Sequence, residues 1–324
     1  MNNLPEVTMP IEDEAARLEE QLLADPRNAE IRGKIVMFYS LTARKERDED
    51  VKRDAARKAA EHYLWLVEHQ PDVELLENLT SLVGRDEKAV TKAKELWLEH
   101  AKRDNVTAQT LVNAASFLQL QPKDRLLSEQ LLLRSVALDP NNAAARLRLA
   151  QFYITGPPPQ PEKSLEHAEA ALQLNRVPEY KEMLIEICAV ASLEAGNLTK
   201  AAHYANELLE VLRSESGGMK WNRGNILHKG NIVLGRVALR NGDIAAAKHH
   251  LLEAGKTEGS PQLGSFGPNM ALARELIAHD ERAVVLDYLN LCEQFWKLGG
   301  EKLSEWKSNV EDGVDPDFGP NLIY

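Results

Sequence analysis

Small residues recur along the chain in one local frame: Ala59, Ala93, Ser128, Ser164, Ala201 and Ala247, at spacings of 34, 35, 36, 37 and 46 residues. Four positions on from each stand Tyr63, Trp97, Leu132, Ala168, Ala205 and Leu251, and seven positions on stand Leu66, His100, Ser135, Ala171, Leu208 and Ala254. Positions i, i+4 and i+7 lie on one face of an α-helix. A frame that returns after about 34 residues spans two helices and their turns, so the pattern predicts an all-α array of stacked helix pairs.

Pro cannot continue a helix, so Asp25-Pro26, Gln70-Pro71 and Asp139-Pro140 mark junctions between pairs, with Asn105 in the equivalent place between the last two. The first helices are expected at about Ala29–Ser40, Val73–Val83, Ala108–Leu120, Ala143–Ile154, Tyr180–Glu194 and His228–Arg240. Their partners are expected at about Asp50–His69, Glu87–Lys102, Asp124–Ala137, Pro161–Leu174, Leu198–Leu212 and Ile244–Ala254, after a lone half repeat at Glu12–Leu23. Three segments interrupt the pattern. Thr42–Glu49 is a charged insert, read as a solvated helical extension, and Gly156–Pro161 is a Pro-rich connector. Arg213–Asn225 accounts for most of the 46-residue spacing and is expected to expose Met219 and Trp221 beside Lys220 and Arg223. Beyond the array, helices are expected at about Met270–His279, Glu281–Leu298 and Glu301–Val310. The organisation is therefore a disordered arm at 1–11, the array at 12–261 and a C-terminal helical cap with a tail at 262–324.

Leu138-Asp139-Pro140-Asn141-Asn142-Ala143, followed by Leu149-Ala150 and Tyr153, resembles the tetratricopeptide repeat. So does Leu234-Gly235 followed by Asn241-Gly242-Asp243, Ala247, Leu251 and Ala254. The resemblance covers about 12–261. It departs from the family at Gly84, Gln119 and Ser192, near positions where the family places a large aromatic. The segment Gly230–Asn269 is similar to a C-terminal unit of bacterial tetratricopeptide-repeat proteins of unassigned role. The resemblance implies a right-handed superhelical solenoid whose first helices line a concave groove for a peptide or partner helix. The groove positions it implies are Met37, Ser81, Ser116, Gln151, Val190 and Arg236, with Asn113, Arg148, Lys229 and Arg240 at the rim. Gly196 and Gly242 stand where the first helix of a pair must stop, a position that favours left-handed backbone.

The charge balance narrows the partner. Lys and Arg total 39 against 50 Asp and Glu, a net charge of −11, which argues against nucleic acid as the main partner because that affinity comes from neutralised phosphates. The N-terminus shows no signal peptide and no stretch reaches about 18 apolar residues, so a cytoplasmic protein without a membrane segment is expected. Cys188 and Cys292 fall in apolar helical patterns and read as buried free thiols. Enzyme signatures are lacking: there is no Gly-x-Ser-x-Gly and no His-Glu-x-x-His, and Gly255-Lys256-Thr257 lacks the upstream Gly of a phosphate loop. The nine His residues show no converging ligand spacing, so neither metal nor cofactor is expected.

One local feature stands apart. Phe266-Gly267-Pro268-Asn269-Met270 is echoed at Phe318-Gly319-Pro320-Asn321-Leu322. Gly, Pro and Asn suit a turn into a helix N-terminus, which explains the first copy better than the second. The alternative is that the 255–269 loop and the tail form a recognition surface. Trp221, Gln262, Phe266 and Asn269 are therefore candidate contacts alongside the rim residues. The expected function is a non-enzymatic scaffold that binds a protein or peptide; the alternative is an accessory subunit that presents a substrate peptide to a partner enzyme.

Overall fold

The computed structural model describes residues 12–82, 86–174, 180–213 and 220–322; the expected arm at 1–11, Gly84 and Met219 lie outside them. All regular structure among the described residues is helical, and they divide into two compact units, 12–152 and 153–322. The first unit carries α1 (Glu12–Ala24), α2 (Ala29–Lys45), α3 (Glu49–His69), α4 (Leu76–Leu79), α5 (Glu87–Lys102), α6 (Ala108–Gln119), α7 (Arg125–Leu138) and all but the end of α8 (Ala143–Ile154). The second carries α9 (Pro161–Leu174), α10 (Lys181–Glu194), α11 (Leu198–Val211), α12 (Arg223–Arg240), α13 (Ile244–Gly255), α14 (Pro261–Phe266), α15 (Ala271–Ile277), α16 (Arg282–Phe295) and α17 (Gly300–Glu311). Sequence neighbours pack together: α2 on α3 and α6 on α7 in the first unit, and α9 on α10, α10 on α11 and α12 on α13 in the second.

The eighteen positions of the repeating frame are all buried, none more than 2% exposed. That uniformity explains why small residues recur, because each lies where a neighbouring helix leaves no room for a longer side chain. Helix starts follow the capping chemistry: Asn28, Asp48, Asp86, Thr107, Asn197 and Asp243 each accept a hydrogen bond from a backbone N–H of the following first turn. Gly196 and Gly242 end α10 and α12 with φ of +78° and +82°, the left-handed backbone the sequence called for.

Four expected elements differ. The helix placed at Val73–Val83 is one α-turn, α4, continued by a 3-10 turn at Thr80–Leu82. Its start lacks a capping side chain, and Leu76, Glu77 and Asn78 donate to carbonyls three residues back, the tighter 3-10 pattern. The insert at Thr42–Glu49 extends α2 as expected only to Lys45; a short break then precedes α3, which Asp48 caps. Helix α12 begins at Arg223, five residues early, because Ile226 is fully buried against Ile185 and Leu208. A short helix, α14, occupies the loop after the array; Ser260 caps it and Pro261 takes its first turn.

One buried core runs through the second unit from Ile232 on α12 to Phe318, crossing residue 261 without a break. It includes Ala247, Leu251 and Ala254 of α13, Leu272 and Leu276 of α15, Tyr288 and Cys292 of α16, and Leu303 and Trp306 of α17. Both cysteines are buried free thiols, and burial pushes the Cys188 thiol up to about 12. Among the described residues no helix is long and apolar enough to cross a membrane.

Candidate functional site

In the first unit, the groove candidates separate by exposure. Met37 is 37% exposed and Ser81 is exposed, whereas Ser116 is buried and Gln151 half-buried. Asn113 is fully buried, and its amide donates to the carbonyl oxygens of Pro71 and Val73, both at 2.9 Å, while its oxygen accepts from Gln109 at 3.0 Å. It fastens α6 to the turn that opens α4. Arg148 is paired through Nε with Glu77, so it fastens α8 to α4 in the same way.

In the second unit the basic candidates are committed to carboxylates. Arg236 on α12 reaches Glu275 of α15 through Nε at 2.9 Å and Nη2 at 2.7 Å, and Glu194 of α10 through Nη1 at 2.6 Å. Burial lowers the pKa of that guanidinium, but the bond and charge of Glu275 and the charge of Glu194 outweigh it and leave the pKa raised. Arg240 donates to the Leu193 carbonyl and lies 3.9 Å from Glu194, and Lys229 pairs with Glu186. Val190 is half-buried against the α11–α12 core. These cations tie α10, α12 and α15 together. Arg236→Ala is therefore expected to destabilise the protein by about 1–3 kcal/mol, since two partly exposed carboxylates lose their shared partner. Urea denaturation of the two proteins side by side measures it.

The loop candidates converge where the array ends. Trp221 is half-buried in a 3-10 turn, Lys220–Asn222, that leads into α12, not exposed as the insert suggested. Asn225, 2% exposed, donates to Gln262 Oε1 at 3.0 Å and to Asn222 Oδ1 at 2.8 Å, and accepts from Ser260 Oγ at 2.7 Å. Gly224 lets this contact form, because a Cβ there would stand 2.0 Å from the Gly259 carbonyl oxygen. Asn269 is equally committed: its N–H donates to His228 Nε2 at 3.0 Å, its carbonyl accepts from the Tyr288 hydroxyl at 3.2 Å, and its side chain caps Ala271 N–H at 2.9 Å. With Nε2 accepting, the His228 proton sits on Nδ1 and is donated to the Ala254 carbonyl at 3.0 Å. His228 is 1% exposed, stacked on Tyr288 and edge-on to Phe295, and burial pulls its pKa down to about 4.

The two Phe-Gly-Pro-Asn copies lie against each other. Asn321, 2% exposed, donates from Nδ2 to the Phe266 carbonyl at 3.0 Å and the Pro268 carbonyl at 2.9 Å, and its own carbonyl accepts from Met270 N–H at 2.7 Å. Phe318, also 2% exposed, meets Trp306 edge-on at 5.0 Å, and the Trp306 indole N–H donates to the Asp317 carbonyl at 3.0 Å. The equivalent ring of the first copy points outward: Phe266 is 64% exposed. Beside it lies a cleft of about 360 Å³ lined by Ser265, Phe266, Trp296, Leu298, Lys302 and Pro320, among others, with Leu298 81% exposed on its rim. Two large apolar side chains facing water around a concavity mark a surface that gains from being covered.

Of the loop candidates, Phe266 borders the cleft and Asn269 is held by His228 and Tyr288; Asn321, Leu298 and His228 are not among the candidates. The echo pointed to Asn321; nothing local distinguished Leu298 from any other leucine at a helix end. Among the described residues no group of three or more His, Cys, Asp or Glu is placed to hold a metal ion. No family model matches the chain, and no curated protein matches it in sequence.

Proposed function

We propose that this protein is a non-enzymatic scaffold of the tetratricopeptide type, a right-handed superhelical array that binds a protein or peptide partner. Its contact surface on this reading is the C-terminal end of the second unit. The observation that carries the proposal is the cleft beside Phe266, with Phe266 and Leu298 exposed at its edge. The buried repeating frame supports the repeat reading, since helix pairs of this kind serve as supports for extended recognition surfaces. The groove alternative is less favoured in the second unit, where Lys229, Arg236 and Arg240 are engaged with Glu186, Glu194 and Glu275.

A double change, Phe266→Ser with Leu298→Ser, removes the apolar rim without touching a buried side chain. Affinity capture from the native cell is expected to lose its specific partner with this variant, while circular dichroism and thermal melting stay within about 1 kcal/mol of the parent. Capture of the same partner at unchanged yield would move the contact surface elsewhere.

A further inference from the structure

The echoed segment is seated on residues 266–270 through its own side chains and main chain. Gly319–Leu322 forms a single 3-10 turn after Asp317 and Phe318; the segment belongs to no helix of the array, and Phe318 seats it on the core of the second unit. A phenyl ring is enclosed at Trp306, and one carboxamide donates to two carbonyls at once, which takes a side chain with two N–H donors at this short reach. A main-chain bond from Met270 N–H fixes the register. The tether that delivers the segment is solvent-exposed from Glu311 to Asp315 and turns at Gly313, with φ +75°. Along it, Arg282 holds Asp315 and the Val314 carbonyl.

We propose that the ledge formed by Phe266–Met270, Trp296 and Trp306 is a binding site for a peptide carrying Phe-Gly-Pro-Asn in the same turned conformation, which the chain's own Asp317–Leu322 fills in cis. This rests on the reading that the C-terminal end is a recognition surface, and it names the partner's chemistry there. A tethered occupant on a short linker acts at an effective concentration of about millimolar, so a competing peptide needs a second foothold. The cleft supplies one: Phe266 and Trp296 of the ledge line it, together with Pro320 and Asn321 of the resident segment. A partner seated against Phe266 and Leu298 is placed to exchange its own segment for the resident one.

The experiment uses the full chain with a specific protease sequence inserted after Gly313, cut after folding. The probe is a fluorescent synthetic peptide of residues 315–322, read by anisotropy. The cut protein is expected to take up the peptide with its helical circular dichroism unchanged, and the uncut protein to take up at least tenfold less. Changing the peptide's Phe to Ala is expected to weaken uptake by roughly a hundredfold, and its Asn to Ala by roughly tenfold. Three results overturn the proposal: a folded, cut protein that ignores the peptide, equal uptake before and after cutting, or loss of helix on cutting, which would make the segment indispensable to the fold and not exchangeable. Concentration-dependent dimerisation of the uncut chain would give the site to a second copy and overturn the assignment to a partner. None of these readouts depends on cellular capture at Phe266 and Leu298, so either idea can fail alone.

Discussion

Gly267→Ala is expected to be among the most damaging single-methyl additions in the protein. Gly267 has φ +89° and ψ −175°, a region that residues with a Cβ occupy at a cost of about 1–3 kcal/mol. A Cβ there would also stand 2.5–2.7 Å from three atoms of the Trp296 indole. That ring is 4% exposed and its centroid lies 5.6 Å from that of Trp306, which blocks its retreat on that side, and overpacking adds about 1–3 kcal/mol. The expected total is about 2–6 kcal/mol of stability, measured by urea denaturation. Gly264→Ala is the control. It lies in α14, where a Cβ meets only the Phe295 carbonyl oxygen at 3.8 Å, and it is expected to leave stability unchanged or raise it by up to about 1 kcal/mol. A cost for Gly267→Ala no larger than that for Gly264→Ala would contradict the packing described around Trp296.

The second large effect is a pH dependence. His228 is neutral in the folded protein, its pKa drawn from the ordinary 6.5 down to about 4 by burial, with a smaller contribution of the same sign from Lys229. Its hydrogen bond to Ala254 opposes the shift. Between these two values the unfolded chain carries a proton that the folded one lacks, so stability is fully present above about pH 6.5 and is lost as pH falls toward 4. A shift of this size corresponds to about 3 kcal/mol. Protonation would also place an N–H donor at Nε2 opposite the donating Asn269 N–H, so the strain falls on the loop that enters α15. Unfolding free energies measured at intervals from pH 7 to 4 should show a slope steeper by about one proton in the parent than in His228→Gln. Equal slopes would mean that the ring is not the buried neutral group described.

Much of this fold is legible in the sequence because burial in a repeated helix pair recurs at a fixed interval. Ala59, Ala93 and Ala201 declared their helices through spacing alone, and Gly196 and Gly242 declared their turns through the one conformation only glycine adopts freely. The α4 segment was not legible in that way. Its apolar residues, Leu75, Leu76 and Leu79, fit a helical stripe, and the 3-10 pattern arises from local hydrogen bonding that periodicity does not register. Helix α14 carried a readable signal, Ser260 followed by Pro261, in a segment otherwise rich in loop residues. The candidate site was half legible. The presumed groove and its rim marked Arg236 and Lys229, but composition does not say which carboxylate faces a cation; here Glu194 and Glu275 face Arg236, and Glu186 faces Lys229. Phe266 stood out through its echo, while its exposure follows from Gly267 turning the chain against Trp296.

The unbroken core across residue 261 has a further consequence. The face of α13 that a following helix pair would use is already covered by α15 and α16, with Ala247, Leu251 and Ala254 fully enclosed. The helices after α13 keep Ala247, Leu251 and Ala254 from water, the burial that a further helix pair would otherwise have to supply.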